Sequence, residues 1–266
     1  MLRSHWLEEA LATAADRAPQ LEGDIRADVC IVGGGYTGLW TAIRLKEHDP
    51  CLDVVLIESD ICGGGASGRN GGFILSWWAK FSTLKKLCGD AEALRLAWAS
   101  AAAVREIGTF CDTHEIDAHY RYDGWLWAAT SPAQIGAWDS VITELDQHGL
   151  QPFLELSPDE VAQRSGSPTH LSGIFEPTAA IVQPALLARG LRRVALEHGV
   201  RIFERSPMVV LERRTPPQVR TARGSVTAER VVLALNAWAA RLREFRRKFI
   251  VISSDIVVTA PIPNRL

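Results

Sequence analysis

The first residues in this chain with a legible chemistry are three glycines in one short stretch. Asp28-Val-Cys-Ile-Val-Gly-Gly-Gly-Tyr-Thr-Gly38 sets Gly33, Gly35 and Gly38 at G-x-G-x-x-G spacing, directly after the apolar run Val29 to Val32. Leu39, Trp40, Ala42, Ile43 and Leu45 then recur at helical spacing. In a strand–turn–helix unit each glycine has its own task. Gly33 lets the chain turn tightly out of the strand. Gly35 lets the backbone approach a pyrophosphate with no side chain in the way. Gly38 lets the helix pack closely on the strand. The free N–H groups and the positive end of the helix dipole then face the phosphates.

A carboxylate stands where such a unit needs one. After the polar turn Lys46 to Pro50, the β-branched run Val54 to Ile57 has the character of a second parallel strand and ends in Glu58. A carboxylate at that strand tip hydrogen-bonds an adenosine ribose and repels a phosphorylated one, which argues against NADP. The next stretch, Asp60 to Phe73, holds six glycines together with Ser67, Arg69 and Asn70. Glycines at this density make a loop rich in backbone donors. Its place at the carboxyl end of a parallel strand suits a cofactor contacted along its length, and disfavours a plain NAD-binding dehydrogenase.

The elements that must position these residues follow from periodicity. Leu7, Ala10, Leu11 and Ala14 have the spacing of a short helix in a lead-in before the first strand. Residues 82 to 119 read as helical, with a stripe of Leu94, Ala97, Trp98, Ala101, Val104, Ile107 and Cys111. Of the adjacent Trp77 and Trp78, only one can face a core. Tyr122 to Thr130 reads as a strand after a turn at Asp123-Gly124, and Pro132 to about His148 as a helix with an apolar face at Trp138, Val141, Ile142 and Leu145. Ser157-Pro158-Asp159-Glu160 and Gln183-Pro184 are helix starts. Val200 to Phe203, Met208 to Leu211, Gln218 to Thr221, Ser225 to Thr227 and Arg230 to Leu235 read as strands.

Composition narrows the class. The chain has 266 residues and a net charge of −2, which gives no electrostatic case for nucleic acid. The basic cluster Arg241, Arg243, Arg246, Arg247 and Lys248 is local and reads as a solvated face. No run is long and apolar enough to span a bilayer. Acids near the N-terminus, Glu8 and Glu9, interrupt what a signal peptide would need, so a cytoplasmic location is expected. Five cysteines, with Cys30 inside the first strand, form no framework, as expected in a reducing compartment. His114 and His119 are five apart, and no metal site is expected.

The sequence resembles the D-amino-acid-oxidase-like (DAO) family of FAD-dependent oxidoreductases, and within it the gamma-glutamylputrescine oxidase branch. The resemblance rests on Ser4-His5-Trp6-Leu7, on the first glycine stretch, on Glu58 and above all on Gly65-Ala-Ser-Gly-Arg-Asn-Gly-Gly72. It implies an α/β fold: a Rossmann-like FAD-binding βαβ domain with an inserted mixed α/β substrate domain. It implies a lead-in at 1–27, FAD-binding segments at 28–120 and 183–240, a substrate segment at 121–182, and the start of a further one at 241–266. By position, Gly33, Gly35, Gly38, Glu58, Ser67, Arg69, Asn70 and Gly72 become cofactor residues. Val209 is the one that passes the adenine.

The activity implied is oxidation of a small amine or amino acid at its C–N bond by hydride transfer to FAD. The family has no universal acid or base, so no catalytic residue is nominated. Family members continue past the run that ends at Leu266, so the chain is expected to be C-terminally incomplete, and alone either marginal, aggregation-prone or in need of a partner supplying the rest. Leaving a few hundred Å² of apolar surface uncovered costs about 5–10 kcal/mol. Two rivals remain: an amino-acid or hydroxy-acid oxidase of the same fold, and a non-catalytic nucleotide-binding fragment.

Overall fold

The computed structural model describes residues 3–13, 17–257 and 259. Ala14 of the lead-in, position 258 and positions 260–266 lie outside the described residues. The described residues fall into two compact units. One comprises those within Met1–Gly71, Ile116–Ala118 and Gln183–Val258. The other comprises those within Gly72–Glu115, His119–Val182 and Thr259–Leu266.

The first unit is built on a six-stranded sheet, in the order Arg201–Phe203, Val54–Ile57, Gly23–Val32, Gly224–Leu233, Gln218–Arg220, Val210–Glu212. The first four strands are parallel and the last two return antiparallel. Val54 to Ile57 are fully or almost fully buried, as a central parallel strand covered on both faces must be. The last four residues of Gly23–Val32 are buried too, whereas its first half is largely exposed. Helix Tyr36–His48 joins the two central strands, giving the expected βαβ unit. Helix Pro184–Glu197 starts where Gln183-Pro184 predicts: the Gln183 side chain accepts from the Leu186 N–H, and Pro184 needs no partner at the first turn.

Register puts the carboxyl ends of the parallel strands in one row. Val32 pairs with Ile57 and with Leu233, and Ile57 pairs with Phe203. The residues next in the chain, Gly33, Glu58, Glu204 and Ala234, therefore leave the sheet side by side. In open α/β sheets this is the edge that takes ligands.

The second unit centres on an antiparallel sheet, Trp125–Ala129, Ser172–Glu176, Leu154–Leu156, with Ser172–Glu176 in the middle. Trp78, Phe81, Ala97, Trp138, Leu145 and Ile174 anchor its core. Helix Pro158–Ser165 opens with a full capping box between Ser157 and Glu160, as the Ser-Pro-Asp-Glu sequence requires.

Several expectations need correction. The helical stretch of 82–119 is two helices, Phe81–Cys88 and Asp90–Thr113, because Gly89 takes φ +81° and ends the first. Residues 114–119 are not helical, and the buried stripe runs through Ala93, Ala97, Ala101, Val104, Gly108 and Cys111. Trp98 lies off that stripe, 53 % exposed, with its ring edge-on to the buried Trp78. The helix expected from Pro132 is interrupted at Gly136 (φ +75°), leaving a 3₁₀ turn Pro132–Gln134 and a helix Asp139–Asp146. The two runs at 225–227 and 230–235 are one strand, Gly224–Leu233. Within the second compact unit, residues 72–115 group with 119–182. Helix Asp90–Thr113 packs its alanines onto the same core as Ala129 and Ile174, which explains that grouping.

Of the free thiols, Cys30, Cys62 and Cys111 are buried, and Cys51 and Cys88 exposed. Burial pushes Cys30 up to about 12 and Cys111 up to about 11, from an ordinary 9.0. Burial, then the negative fields of Glu204 and Glu58, pushes Cys62 well above the ordinary range. Ellman's reagent at pH 8 is therefore expected to titrate Cys51 and Cys88 rapidly, and the other three only in denaturant. Because the buried thiols stay protonated while unfolded ones ionise, their contribution to stability is whole below pH 9 and is lost as pH rises toward 11–12. Melting curves between pH 8 and 11 check the sign.

Candidate functional site

The row of strand ends holds two glycine turns of the same design. In the first, a Cβ on Gly38 would stand 1.9 Å from the Gly33 carbonyl oxygen; in the second, a Cβ on Gly68 would stand 2.2 Å from that of Gly63. Both pairs are five residues apart, and both lead glycines have positive φ, +116° and +81°. The first turn opens helix Tyr36–His48 and the second the short 3₁₀ helix Ala66–Gly68.

The two turns are tied together. Gly63 N–H donates to the Gly34 carbonyl at 2.9 Å, and Tyr36 N–H donates to Ser67 Oγ at 2.9 Å. A Cβ on Gly35 would lie 2.9 Å from that same hydroxyl. The neighbouring strand enforces Gly33, where a Cβ would lie 2.4 Å from the Ala234 carbonyl oxygen. Helix Pro184–Glu197 supports the turns from below, with Ala188 and Ala185 facing Gly63 and Gly68 and the Pro184 carbonyl accepting from Tyr36 Oη at 2.7 Å.

Glu58 lies at the tip of its strand, half-buried, and points back over the first turn. Its Oε2 accepts the Gly34 N–H at 2.7 Å; its Oε1 accepts the Asp60 N–H at 2.9 Å and the Ser59 hydroxyl at 2.8 Å. Oε1 is filled by its two donors and Oε2 keeps a lone pair, so the group is an anchored acceptor suited to a ribose hydroxyl.

Gly33, Gly35, Gly38, Glu58 and Ser67 thus form one cluster. Arg69 and Asn70 follow directly, but their side chains hold the loop itself: Arg69 Nη2 binds the Gly64 carbonyl at 2.6 Å, and Asn70 Nδ2 those of Ala66 and Ser67 at 3.0 and 3.1 Å. Gly72 begins the other compact unit, with φ +77° and its carbonyl accepting the Val182 N–H. Val209 stands at the far antiparallel edge of the sheet, 68 % exposed, with its N–H on the Arg220 carbonyl.

Sequence reasoning missed Gly34, Gly63 and Gly68. The i, i+5 spacing shared by the two glycine pairs was the available signal. It also missed Glu204, fully buried behind Cys62 with Arg189 and Arg192. Nothing local marks that trio. Trp238 sits with its ring 3.5 Å from where a Gly65 Cβ would be, on the 3₁₀ helix Asn236–Arg241. Among the described residues no group of three His, Cys, Asp or Glu could hold a metal ion, and no helix is long and apolar enough to cross a membrane.

The chain is similar to known proteins. Residues 28–266 match the family described as DAO, FAD dependent oxidoreductase. Gamma-glutamylputrescine oxidoreductase of Escherichia coli (strain K12) is 31% identical over 230 residues, 85% of this chain and 53% of that protein. A probable oxidoreductase, OrdL, of Haemophilus influenzae (strain ATCC 51907 / DSM 11121 / KW20 / Rd) is 28% identical, covering 92% of this chain and 58% of its own. The crystal structure of glycine oxidase from Geobacillus kaustophilus superposes with a TM-score of 0.69 at 25% identity, over 82% of this chain and 57% of that one. The chain thus spans about half the length of the curated relatives it matches. Matched glycine turns on a parallel sheet edge, an anchored strand-end carboxylate and a family match over nearly the whole sequence agree: this chain belongs to the DAO family of FAD-dependent oxidoreductases.

Proposed function

We propose that this chain holds the ADP half of FAD across its two glycine turns, and that the protein uses the flavin to oxidise a small amine at its C–N bond. The observation that supports the reading is the pair of matched turns, joined through Gly34, Gly63, Tyr36 and Ser67. A pyrophosphate is favoured there because Gly33, Gly35, Gly63 and Gly65 leave the turns bare of side chains and helix Tyr36–His48 starts at this edge, with the positive end of its dipole. Gly33, Gly35, Gly38 and Ser67 line the path of the cofactor, Glu58 takes the ribose, Val209 passes the adenine, and Arg69 and Asn70 shape the loop that leads toward the ring. FAD, when bound, supplies a two-electron acceptor for the C–H bond next to the substrate nitrogen. The chain's own contribution is binding and orientation of that cofactor.

An amine is favoured as substrate by the likeness to gamma-glutamylputrescine oxidoreductase. A second reading, an amino acid, draws on the likeness to glycine oxidase. The test is spectroscopic. Purified chain is mixed with FAD, desalted and scanned in the visible range, then titrated without oxygen with monoamines, diamines, γ-glutamylated diamines and amino acids. A retained flavin spectrum bleached by an amine supports the reading. A folded chain that retains no flavin overturns it for this chain, and bleaching by amino acids alone moves the substrate class.

A further inference from the structure

We propose that Glu204 is a positioning residue: with Arg189 and Arg192 it forms a buried clamp that holds the second glycine turn in register with the first, and so sets how tightly FAD is taken up. The inference rests on the cofactor reading above.

Glu204 follows directly on the strand Arg201–Phe203 and is fully buried. Its Oε1 accepts three donors: the Cys62 N–H at 2.9 Å, Arg192 Nε at 3.0 Å and Arg189 Nη1 at 3.2 Å. Its Oε2 accepts the Ala18 N–H at 3.3 Å. Both arginines are buried, three residues apart on helix Pro184–Glu197. A buried charge is tolerated only when paired and hydrogen-bonded in this way.

Where the carboxylate reaches decides what the clamp does. The strands already have ladders that fix them, but the loop after Glu58 has none. It is laced to the segment beside it instead: Ser206 N–H to the Glu58 carbonyl at 2.8 Å, Arg205 N–H to that of Asp60 at 2.7 Å, and then Cys62 N–H to the Glu204 side chain. Cys62 immediately precedes Gly63, whose N–H grips Gly34 of the first turn. Gly63 is also pressed against Ala188, one residue from Arg189. Releasing Cys62 therefore removes the tie between the second turn and the helix arginines and loosens that turn while the sheet stays intact.

Glu204→Gln keeps the size and one acceptor oxygen and removes the charge. In the FAD-free chain, residue-resolved amide exchange at Cys62 and Gly63 is expected to quicken about tenfold, the equivalent of one weakened charge-assisted hydrogen bond, with Val54–Ile57 unchanged. FAD affinity, read by flavin fluorescence, is expected to fall by a similar factor. Arg192→Lys, which keeps the charge but loses the Nε geometry, is expected to give a smaller shift of the same pattern. Unchanged exchange at Cys62 and Gly63, a uniform rise that includes the strand, or local loosening with FAD affinity intact each overturns the proposal. Wild type that takes up no FAD sinks the cofactor reading, while the exchange measurement still decides the clamp. Should neither variant fold, wild type decides: Cys62 and Ala18, both held by Glu204, must exchange through one shared opening, and independent openings overturn the clamp.

Discussion

Gly38→Ala is expected to abolish flavin retention and to lower the stability of the first unit by about 3 kcal/mol or more. The added methyl would stand 1.9 Å from the Gly33 carbonyl oxygen and 3.3 Å from Ile31 Cγ2. The obstacle is backbone, so no rotamer change relieves it. Either helix Tyr36–His48 lifts off the sheet or the turn at Gly33 opens. Each displaces the N–H groups that would face a pyrophosphate. A loss of about 3 kcal/mol is more than a hundredfold in affinity and a large share of the 5–15 kcal/mol that a domain has. Gly35→Ala is the informative contrast. Its methyl would meet only the Ser67 hydroxyl at 2.9 Å, a group that can rotate. The fold is expected to survive Gly35→Ala, with cofactor affinity alone reduced. Thermal melts and FAD titrations of the two variants separate the roles; equal melting curves for Gly38→Ala and wild type would show that the close approach does not govern the turn.

Glu58→Ala is expected to weaken FAD binding ten- to a hundredfold, from the loss of about 1.5–3 kcal/mol of charge-assisted hydrogen bonding. The same substitution removes the acceptor of the Gly34 and Asp60 N–H groups. A modest fall in melting temperature is therefore expected even without cofactor. Glu58→Gln retains one acceptor oxygen but sets its NH2 against the donors on the other, so it should restore only part of the apo stability and part of the affinity. Isothermal titration with FAD, and with ADP as the half that Glu58 is proposed to touch, checks the assignment. If FAD binds as tightly to Glu58→Ala as to wild type, the ribose assignment fails.

How much of this was legible beforehand depended on the range of the interaction concerned. G-x-G-x-x-G after an apolar run is a local pattern, and the strand, turn and helix it announces are present. So are the caps at Ser157 and Gln183, whose partners lie three residues on. Gly89 and Gly136 were equally local, but a glycine inside a helical pattern ends the helix only when its φ turns positive, and spacing does not report φ. Trp98 was assigned inward on hydrophobicity; it lies outward because the alanine face of its helix packs closer to the core.

The sequence by itself determined the family, the glycine turns and the strand-end carboxylate, because each is written in residues close along the chain. Only the tertiary structure decided which strands lie side by side, that residues 72–115 pack with 119–182, and that Glu204 meets Cys62 from 142 residues away. Those arrangements come from buried surfaces and charges finding partners across the fold, and no local spacing encodes them.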